Sequence, residues 1–168
     1  AEAAGIDVSI PPLDDTAREA AAERQQQLLK PPGSLGRLEA MAVEIAAMQA
    51  TTTPSVDPAV LLTLAADHGV TNEGVSAYPA SVTAAMVNAV DSGDAAINAL
   101  AGAADIDTHV VDMGVDGDVP AGVIDHHIAD GTANMASEPA MTAAHAREAT
   151  AAGRDLVADH AGEPGVVG

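Results

Sequence analysis

Residues 59–69 read Ala-Val-Leu-Leu-Thr-Leu-Ala-Ala-Asp-His-Gly, a short apolar run that stops at an acid, a histidine and a glycine. Such a run is typical of a buried parallel strand that ends in a loop. A second run of this kind covers residues 108–113, and the segments 81–90 and 95–103 between the two runs have the pattern of helices. A strand, two helices and a second strand in this order predict an α/β fold with a parallel sheet.

The chain before residue 51 has a different pattern. Residues 14–29 predict a helix, which the Pro31-Pro32 pair must end because proline donates no backbone hydrogen bond. Ser34 is then expected to cap a second, amphipathic helix. The apolar residues of that helix recur at three- and four-residue spacing: Leu35, Leu38, Met41, Ile45 and Met48.

The end of the chain predicts a long helix that begins at Thr142, and then a third strand that begins at Val166-Val167. Two strands do not form a stable open sheet, so either further strands escape the sequence pattern or the chain is part of a larger fold. We favour the larger fold. We therefore predict a helical subdomain over residues 1–50 and an incomplete, Rossmann-like α/β domain over residues 51–168.

The composition excludes several classes of function. The chain has 25 acidic and 6 basic residues, which give a formal net charge of −19. Such a surface repels phosphate backbones and anionic lipid, so we expect neither nucleic-acid nor membrane binding. There is no cysteine and no apolar run long enough for a membrane span, and we expect a soluble, cytoplasmic protein. The acidity and the single lysine indicate a halophilic protein, or simply an acidic protein from a GC-rich genome.

The residues that follow the two strands are the candidate binding site. Ligands of open α/β sheets bind outside the carboxyl ends of the strands. The segments 67–79 and 112–115 both lie there, and glycines in both allow a ligand or a second backbone to come close. Tyr78 is the only aromatic residue of the chain, so a flat aromatic ligand would have one obvious neighbour. A lone packing residue beside a proline turn is the alternative interpretation of Tyr78.

Two other groups of side chains leave alternatives open. The first group consists of side chains of types that bind zinc or manganese: Asp67, His68, Asp112, His126 and His127. Their spacing matches no familiar metal-binding motif, so we expect no metal site. For His68, a ring that bonds to neighbouring backbone and orders the loop is as good an interpretation as catalysis. Lys30 and Arg37 flank the proline corner, which is either a helix–helix corner alone or a contact for an anionic partner or a neighbouring subunit.

Four segments, in this order, resemble the nicotinate-nucleotide–dimethylbenzimidazole phosphoribosyltransferase family of cobalamin biosynthesis. They are Lys30-Pro-Pro-Gly-Ser-Leu-Gly-Arg-Leu-Glu39, Ala66-Asp-His-Gly-Val70, Glu73-Gly-Val-Ser-Ala-Tyr-Pro79 and Val111-Asp-Met-Gly-Val115. The resemblance covers nearly the whole chain and corresponds to the amino-terminal half of the family.

The resemblance implies a phosphoribosyl transfer between two small molecules. A ring nitrogen of 5,6-dimethylbenzimidazole attacks the anomeric carbon of nicotinate mononucleotide, nicotinate leaves, and α-ribazole phosphate forms. The reaction passes through an oxocarbenium-like state, and a carboxylate is the expected acceptor of the benzimidazole proton. The family uses no further cofactor. The resemblance also implies a doubly wound parallel sheet, an N-terminal helical subdomain and a homodimer.

The resemblance further implies that Asp67, His68, Ser76 and Tyr78 bind substrate on the benzimidazole side. The glutamate base and the glycine-rich phosphate-binding segment of the family are expected beyond residue 168, so no catalytic residue is assigned here. We expect this chain by itself to be an inactive half of the transferase. A non-catalytic binding or assembly module that pairs with a separate second half is the main alternative. A metal-dependent hydrolase built on Asp67, His68 and Asp112 is a third.

Overall fold

The structure is a computed structural model and describes residues 10–160, together with the backbone of residues 166 and 167. It divides into two compact units, whose boundary lies between Asp57 and Pro58. The first unit is helical, and the second holds all the described strands. The assignment of domains to residues 1–50 and 51–168 stays a prediction.

The helical unit consists of α1 (Asp15–Gln27) and α2 (Arg37–Met48). Asp14 caps α1, because its Oδ1 accepts the N–H of Ala17 at 2.9 Å. The two helices contact each other, and their buried residues are all small: Ala17, Ala21, Ala46 and Ala47. The large side chains of the stripe predicted in α2 stay exposed, among them Leu38, Met41 and Met48. Alanine, rather than the apolar stripe, therefore forms the contact within this unit.

The predicted helix cap at Ser34 is wrong. The helix begins at Arg37, and its N-cap is Gly36, which has a φ of 57° and makes no side-chain cap. The carboxylate of Glu39 holds this corner instead, since it accepts a hydrogen bond from Nζ of Lys30 at 2.7 Å. That hydrogen bond lowers the pKa of Glu39. Lys30 is thus paired inside the corner, whereas Arg37 is exposed.

Four parallel strands form the sheet of the second unit, in the order β3-β2-β1-β4. Their bounds are β1 Ala59–Ala66, β2 Asp107–Gly114, β3 Ile124–Asp125 and β4 Val166–Val167. The α/β fold predicted from the sequence is confirmed, and so is the strand at Val166-Val167, which pairs with Ala59 and Val60. The sequence did not predict β3, because two residues are too few for a periodic pattern.

Three α-helices belong to this unit: α3 (Val82–Asp91), α4 (Ala96–Ala103) and α5 (Ala143–His160). The sequence predicted all three to within one or two residues. Thr142 caps α5 as expected, because its Oγ1 accepts the N–H of His145 at 3.1 Å. Among the helices of the described residues, none has both the length and the apolar composition that a membrane crossing requires.

Helices cover both faces of the sheet. On one face, Val110 of β2 packs in a buried cluster with Val87 and Val90 of α3. Successive side chains of a strand point to opposite faces. The next residue back along β2, His109, accordingly lies on the other face, where its ring is 4.9 Å from that of His160 in α5. The doubly wound arrangement is confirmed, and we refer to the α3 face and the α5 face of the sheet below.

Candidate functional site

A cavity of about 270 Å³ opens at the carboxyl end of β1, on the α3 face. The structure brings all four sequence-predicted site residues to its wall: Asp67, His68, Ser76 and Tyr78. The other lining residues come from the end of β1, from the loop that follows it and from the first turns of α3. They include Thr71, Thr83 and Met86, which the sequence analysis did not single out.

Asp67 is buried in the cavity wall, and each of its carboxylate oxygens accepts a hydrogen bond. Oδ1 accepts the hydroxyl of Thr83 at 2.6 Å, and Oδ2 accepts the N–H of Asp116 at 2.9 Å. A buried carboxylate needs such donors, because burial without them is costly. Asp67 therefore joins α3 to the loop after β2. No sequence pattern could have predicted these two partners, which lie 16 and 49 positions from Asp67 along the chain.

His68 links two loops at the edge of the sheet. Its Nδ1 lies 3.2 Å from Oγ1 of Thr132, and the next residue, Gly69, donates its N–H to the carbonyl oxygen of Thr132 at 2.9 Å. The ring is exposed. The ring thus orders the loop, but its partner is the hydroxyl of Thr132 and not the neighbouring backbone expected from the sequence. His68 also stays in reach of a ligand, since it lines the cavity.

The loop that carries Ser76 and Tyr78 follows a 3₁₀ turn over Gly69–Glu73. Gly74 ends this turn with a φ of 72°, a conformation that favours glycine. Within the loop, Oγ of Ser76 accepts the N–H of Tyr78 at 3.2 Å. The side chain of Tyr78 is 70% exposed, so its ring face is free to stack on a flat ligand at the rim of the cavity.

A second, smaller cavity of about 120 Å³ lies on the α5 face of the same edge. Apolar side chains such as Met113, Ile128 and Met141 line it, with His68 and His145 at its wall. His68 is thus shared by the cavities on the two faces. The second cavity continues into an open groove of about 650 Å³ beside the start of α5.

The histidines and acids considered as metal ligands fall into separate hydrogen-bond networks. Asp112 is buried, and its Oδ1 accepts the N–H groups of Gly114 and Val115, each at 2.8 Å. Its Oδ2 lies 3.0 Å from Nδ1 of His127, whose Nε2 lies 3.0 Å from Oδ1 of Asp130. Within residues 10–160, no three histidine or acidic side chains are grouped so that they could hold a metal ion.

The pKa values of Asp112 and His127 move apart. Burial by itself raises the pKa of Asp112, but the hydrogen bonds from Val115, His127 and Gly114 outweigh it and leave the pKa lowered. The hydrogen bond to Asp112 raises the pKa of His127, and this outweighs the opposing effect of partial burial. Asp130 adds to the rise. Both shifts favour the charged forms of the two side chains.

Comparison with known proteins identifies the family. The model of a family described as "Phosphoribosyltransferase" matches residues 10–167. A protein of Ectopseudomonas mendocina (strain ymp), named nicotinate-nucleotide–dimethylbenzimidazole phosphoribosyltransferase, is 47% identical over 146 residues, which are 86% of this chain and 42% of that protein. A protein of the same name from Roseiflexus sp. (strain RS-1) is 46% identical over 146 residues, with 86% and 41% covered.

A solved structure agrees with the sequence relatives. The crystal structure of the phosphoribosyltransferase of this name from Thermus thermophilus superposes with a TM-score of 0.84 at 41% identity, and the match covers 93% of this chain and 49% of that one. The chain belongs to the nicotinate-nucleotide–dimethylbenzimidazole phosphoribosyltransferase family. It spans about two-fifths of the length of the curated relatives of this family that it matches.

The His127 pair predicts a pH dependence of stability. A histidine whose pKa is raised by folding stabilises the fold fully below its unfolded pKa of about 6.5, and this contribution is lost as the pH rises through the folded pKa. We expect His127→Gln to cost more unfolding free energy at about pH 6 than at about pH 9. Urea denaturation at constant salt measures the difference.

The matched control is His126→Gln, one residue away, which should show a smaller change in cost between the two pH values. The lowered pKa of Asp112 affects stability in a different pH range. Its contribution to the unfolding free energy is lost only as the pH falls below the ordinary pKa of an aspartate. An equal cost of His127→Gln at the two pH values would show that the charged pair adds nothing to stability.

Proposed function

We propose that the protein transfers the phosphoribosyl group of nicotinate mononucleotide to 5,6-dimethylbenzimidazole, with α-ribazole phosphate and nicotinate as products. The observation that carries the proposal is the grouping of Asp67, His68, Ser76 and Tyr78 around one cavity at the carboxyl edge of the sheet. Family membership supports the reaction class. The relatives' printed name supplies the two substrates.

The cavity on the α3 face is the proposed site of the benzimidazole. Its volume of about 270 Å³ suits a bicyclic ring, and an aromatic ring at its rim offers offset stacking. The hydroxyls of Thr71 and Ser76 and the ring of His68 are polar groups on the same wall that can orient the ring nitrogens. The surrounding lining is largely apolar, which favours the transfer of an uncharged aromatic base from water.

The reaction forms a bond between the benzimidazole nitrogen and the anomeric carbon, and breaks the bond from that carbon to the pyridinium nitrogen. The bonding electrons pass to the pyridine ring of nicotinate, and the second ring nitrogen of the benzimidazole loses its proton. Among the described residues that line the cavity, Asp67 carries the one carboxylate, and both of its oxygens already accept hydrogen bonds. The resemblance to the family supports a glutamate beyond residue 168 as the proton acceptor.

Several finer features belong to the same proposal. Residues 1–50 would be the helical subdomain of the family, and residues 51–168 part of its α/β domain. The whole protein would be a cytoplasmic homodimer, and the net charge of −19 supports adaptation to high salt. The metal-dependent hydrolase is the weaker alternative, because Asp67 and Asp112 each engage in a separate network of hydrogen bonds.

Binding of the base by this chain is the first test. We expect 5,6-dimethylbenzimidazole, titrated calorimetrically into the chain in molar potassium chloride, to bind saturably. Tyr78→Ala should lose most of this binding, because it removes the aromatic face at the rim. Tyr78→Phe is the matched control and should keep it, since the ring stays. Equal binding by Tyr78→Ala and the unaltered chain would contradict the assignment of this cavity.

Turnover is the second test. We expect the 168-residue chain alone to form no α-ribazole phosphate from nicotinate mononucleotide and 5,6-dimethylbenzimidazole, because the glutamate that the resemblance implies as the proton acceptor is expected beyond residue 168. Chromatographic detection of the product measures this, with the Thermus thermophilus relative in its own buffer as the positive control. Product formation above the rate in buffer would show that this chain contains a complete catalytic site.

A further inference from the structure

One short segment, Thr132 to Asn134, holds the 3₁₀ turn that precedes the Tyr78 loop at both of its ends. At the first end, the carbonyl oxygen of Thr132 accepts the N–H of Gly69 at 2.9 Å. At the last end, Nδ2 of Asn134 donates to Oε1 of Glu73 at 2.6 Å. The position of the turn is therefore set by a segment that lies far along the chain, 61 residues away in the case of Glu73 and Asn134.

The network around Asn134 fixes which way its amide points. Oδ1 of Asn134 accepts the N–H of Ala136 at 3.0 Å, so the NH₂ group is the one that faces Glu73. The backbone approach is also close, because a Cβ on Gly69 would lie 2.7 Å from the backbone nitrogen of Asn134. Only glycine allows the two backbone segments to come this close.

The loop beyond Glu73 depends on this anchor. It begins at Gly74 and carries Ser76 and Tyr78 to the cavity, while its own side chains make little contact, with Val75 68% and Tyr78 70% exposed. The hydrogen bond between Ser76 and Tyr78 shapes the loop internally but ties it to nothing else. A loop that must be ordered at the moment of binding lowers the affinity for its ligand.

We propose that Asn134 is a positioning residue for the aromatic-base site. Its hydrogen bond to Glu73 holds the Tyr78 loop in the orientation that binds the ring, and Asn134 itself is not among the residues that line the cavity. The identity of the ligand rests on the proposed function, whereas the positioning of the loop does not. Asn134 thus acts on the affinity for the base only through the loop.

The composition of the chain supplies a probe for this loop alone. Tyr78 is the only tyrosine, and the chain has no tryptophan or phenylalanine, so its intrinsic fluorescence reports one residue. We expect Asn134→Ala to increase the quenching of Tyr78 by acrylamide in the absence of ligand. It should also weaken 5,6-dimethylbenzimidazole binding on the order of 2- to 10-fold, the effect of losing one ordinary hydrogen bond at an exposed site.

Ser137→Ala is the matched control, because the Ser137 hydroxyl donates to the backbone oxygen of Asn134 and does not contact Glu73. This variant should leave both readouts unchanged. A urea transition for each variant shows whether the fold is intact, and circular dichroism confirms the helix content. Unchanged Tyr78 quenching in a folded Asn134→Ala variant would overturn the proposal.

A second test exchanges the hydrogen-bond donor and acceptor between positions 134 and 73. Rescue by this exchange would not occur if the single variants only damaged the segment. Asn134→Asp alone sets two carboxylates against each other and should free the loop at least as much as Asn134→Ala. Adding Glu73→Gln returns an amide donor to the pair and should restore both the quenching and the affinity. Failure of this rescue would also overturn the proposal.

The two proposals can fail separately. If the unaltered chain binds no 5,6-dimethylbenzimidazole, the proposed function of this cavity fails, and the quenching series still decides whether Asn134 positions the loop. If the base binds but Asn134→Ala changes neither the quenching of Tyr78 nor the affinity, the positioning role fails and the proposed function stands.

Discussion

Asp67 is the residue on which the candidate site depends, because four parts of the α/β unit meet at it. Its carboxylate accepts hydrogen bonds from Thr83 in α3 and from the N–H of Asp116 in the loop after β2. Its backbone N–H donates to Gly114, and its carbonyl oxygen accepts the N–H of Thr132. The side chain is 7% exposed, so these donors replace the water that a buried charge loses. The cavity lies beside Asp67 and Thr83, and both residues line it.

Asp67 therefore has a structural role in the site, and other residues are exposed to a ligand. The Asp67 carboxylate joins α3 to the loop after β2, while His68 and Ser76 are exposed on the rim of the cavity. The aromatic ring of Tyr78 lies on an exposed loop, and the turn before this loop is hydrogen-bonded to Asn134 through Glu73. A rigid, buried framework that carries an exposed binding loop commonly combines a precisely placed site with access for the ligand.

The sequence predicted the grouping of the site and missed what holds it. The carboxyl ends of β1 and β2 meet at one edge in any parallel sheet, so the segments that follow them had to lie close together. The partners Thr83 and Asn134 were not predictable, because hydrogen bonds across 16 and 61 residues leave no periodic trace. The predicted Ser34 cap failed for a related reason: Glu39 and Lys30 hold that corner through side chains that the capping pattern does not describe.

The most direct test of this account removes one donor to Asp67. Thr83→Val keeps the shape of the side chain and deletes the hydroxyl, which leaves Oδ1 of a buried carboxylate without its partner. We expect this variant to lose about 1–3 kcal/mol of unfolding free energy. Thr150→Val, at an exposed site in α5 where the hydroxyl donates to the carbonyl of Ala146, should change it by less than about 0.5 kcal/mol. Equal, small effects of the two substitutions in urea denaturation would contradict the central role of Asp67.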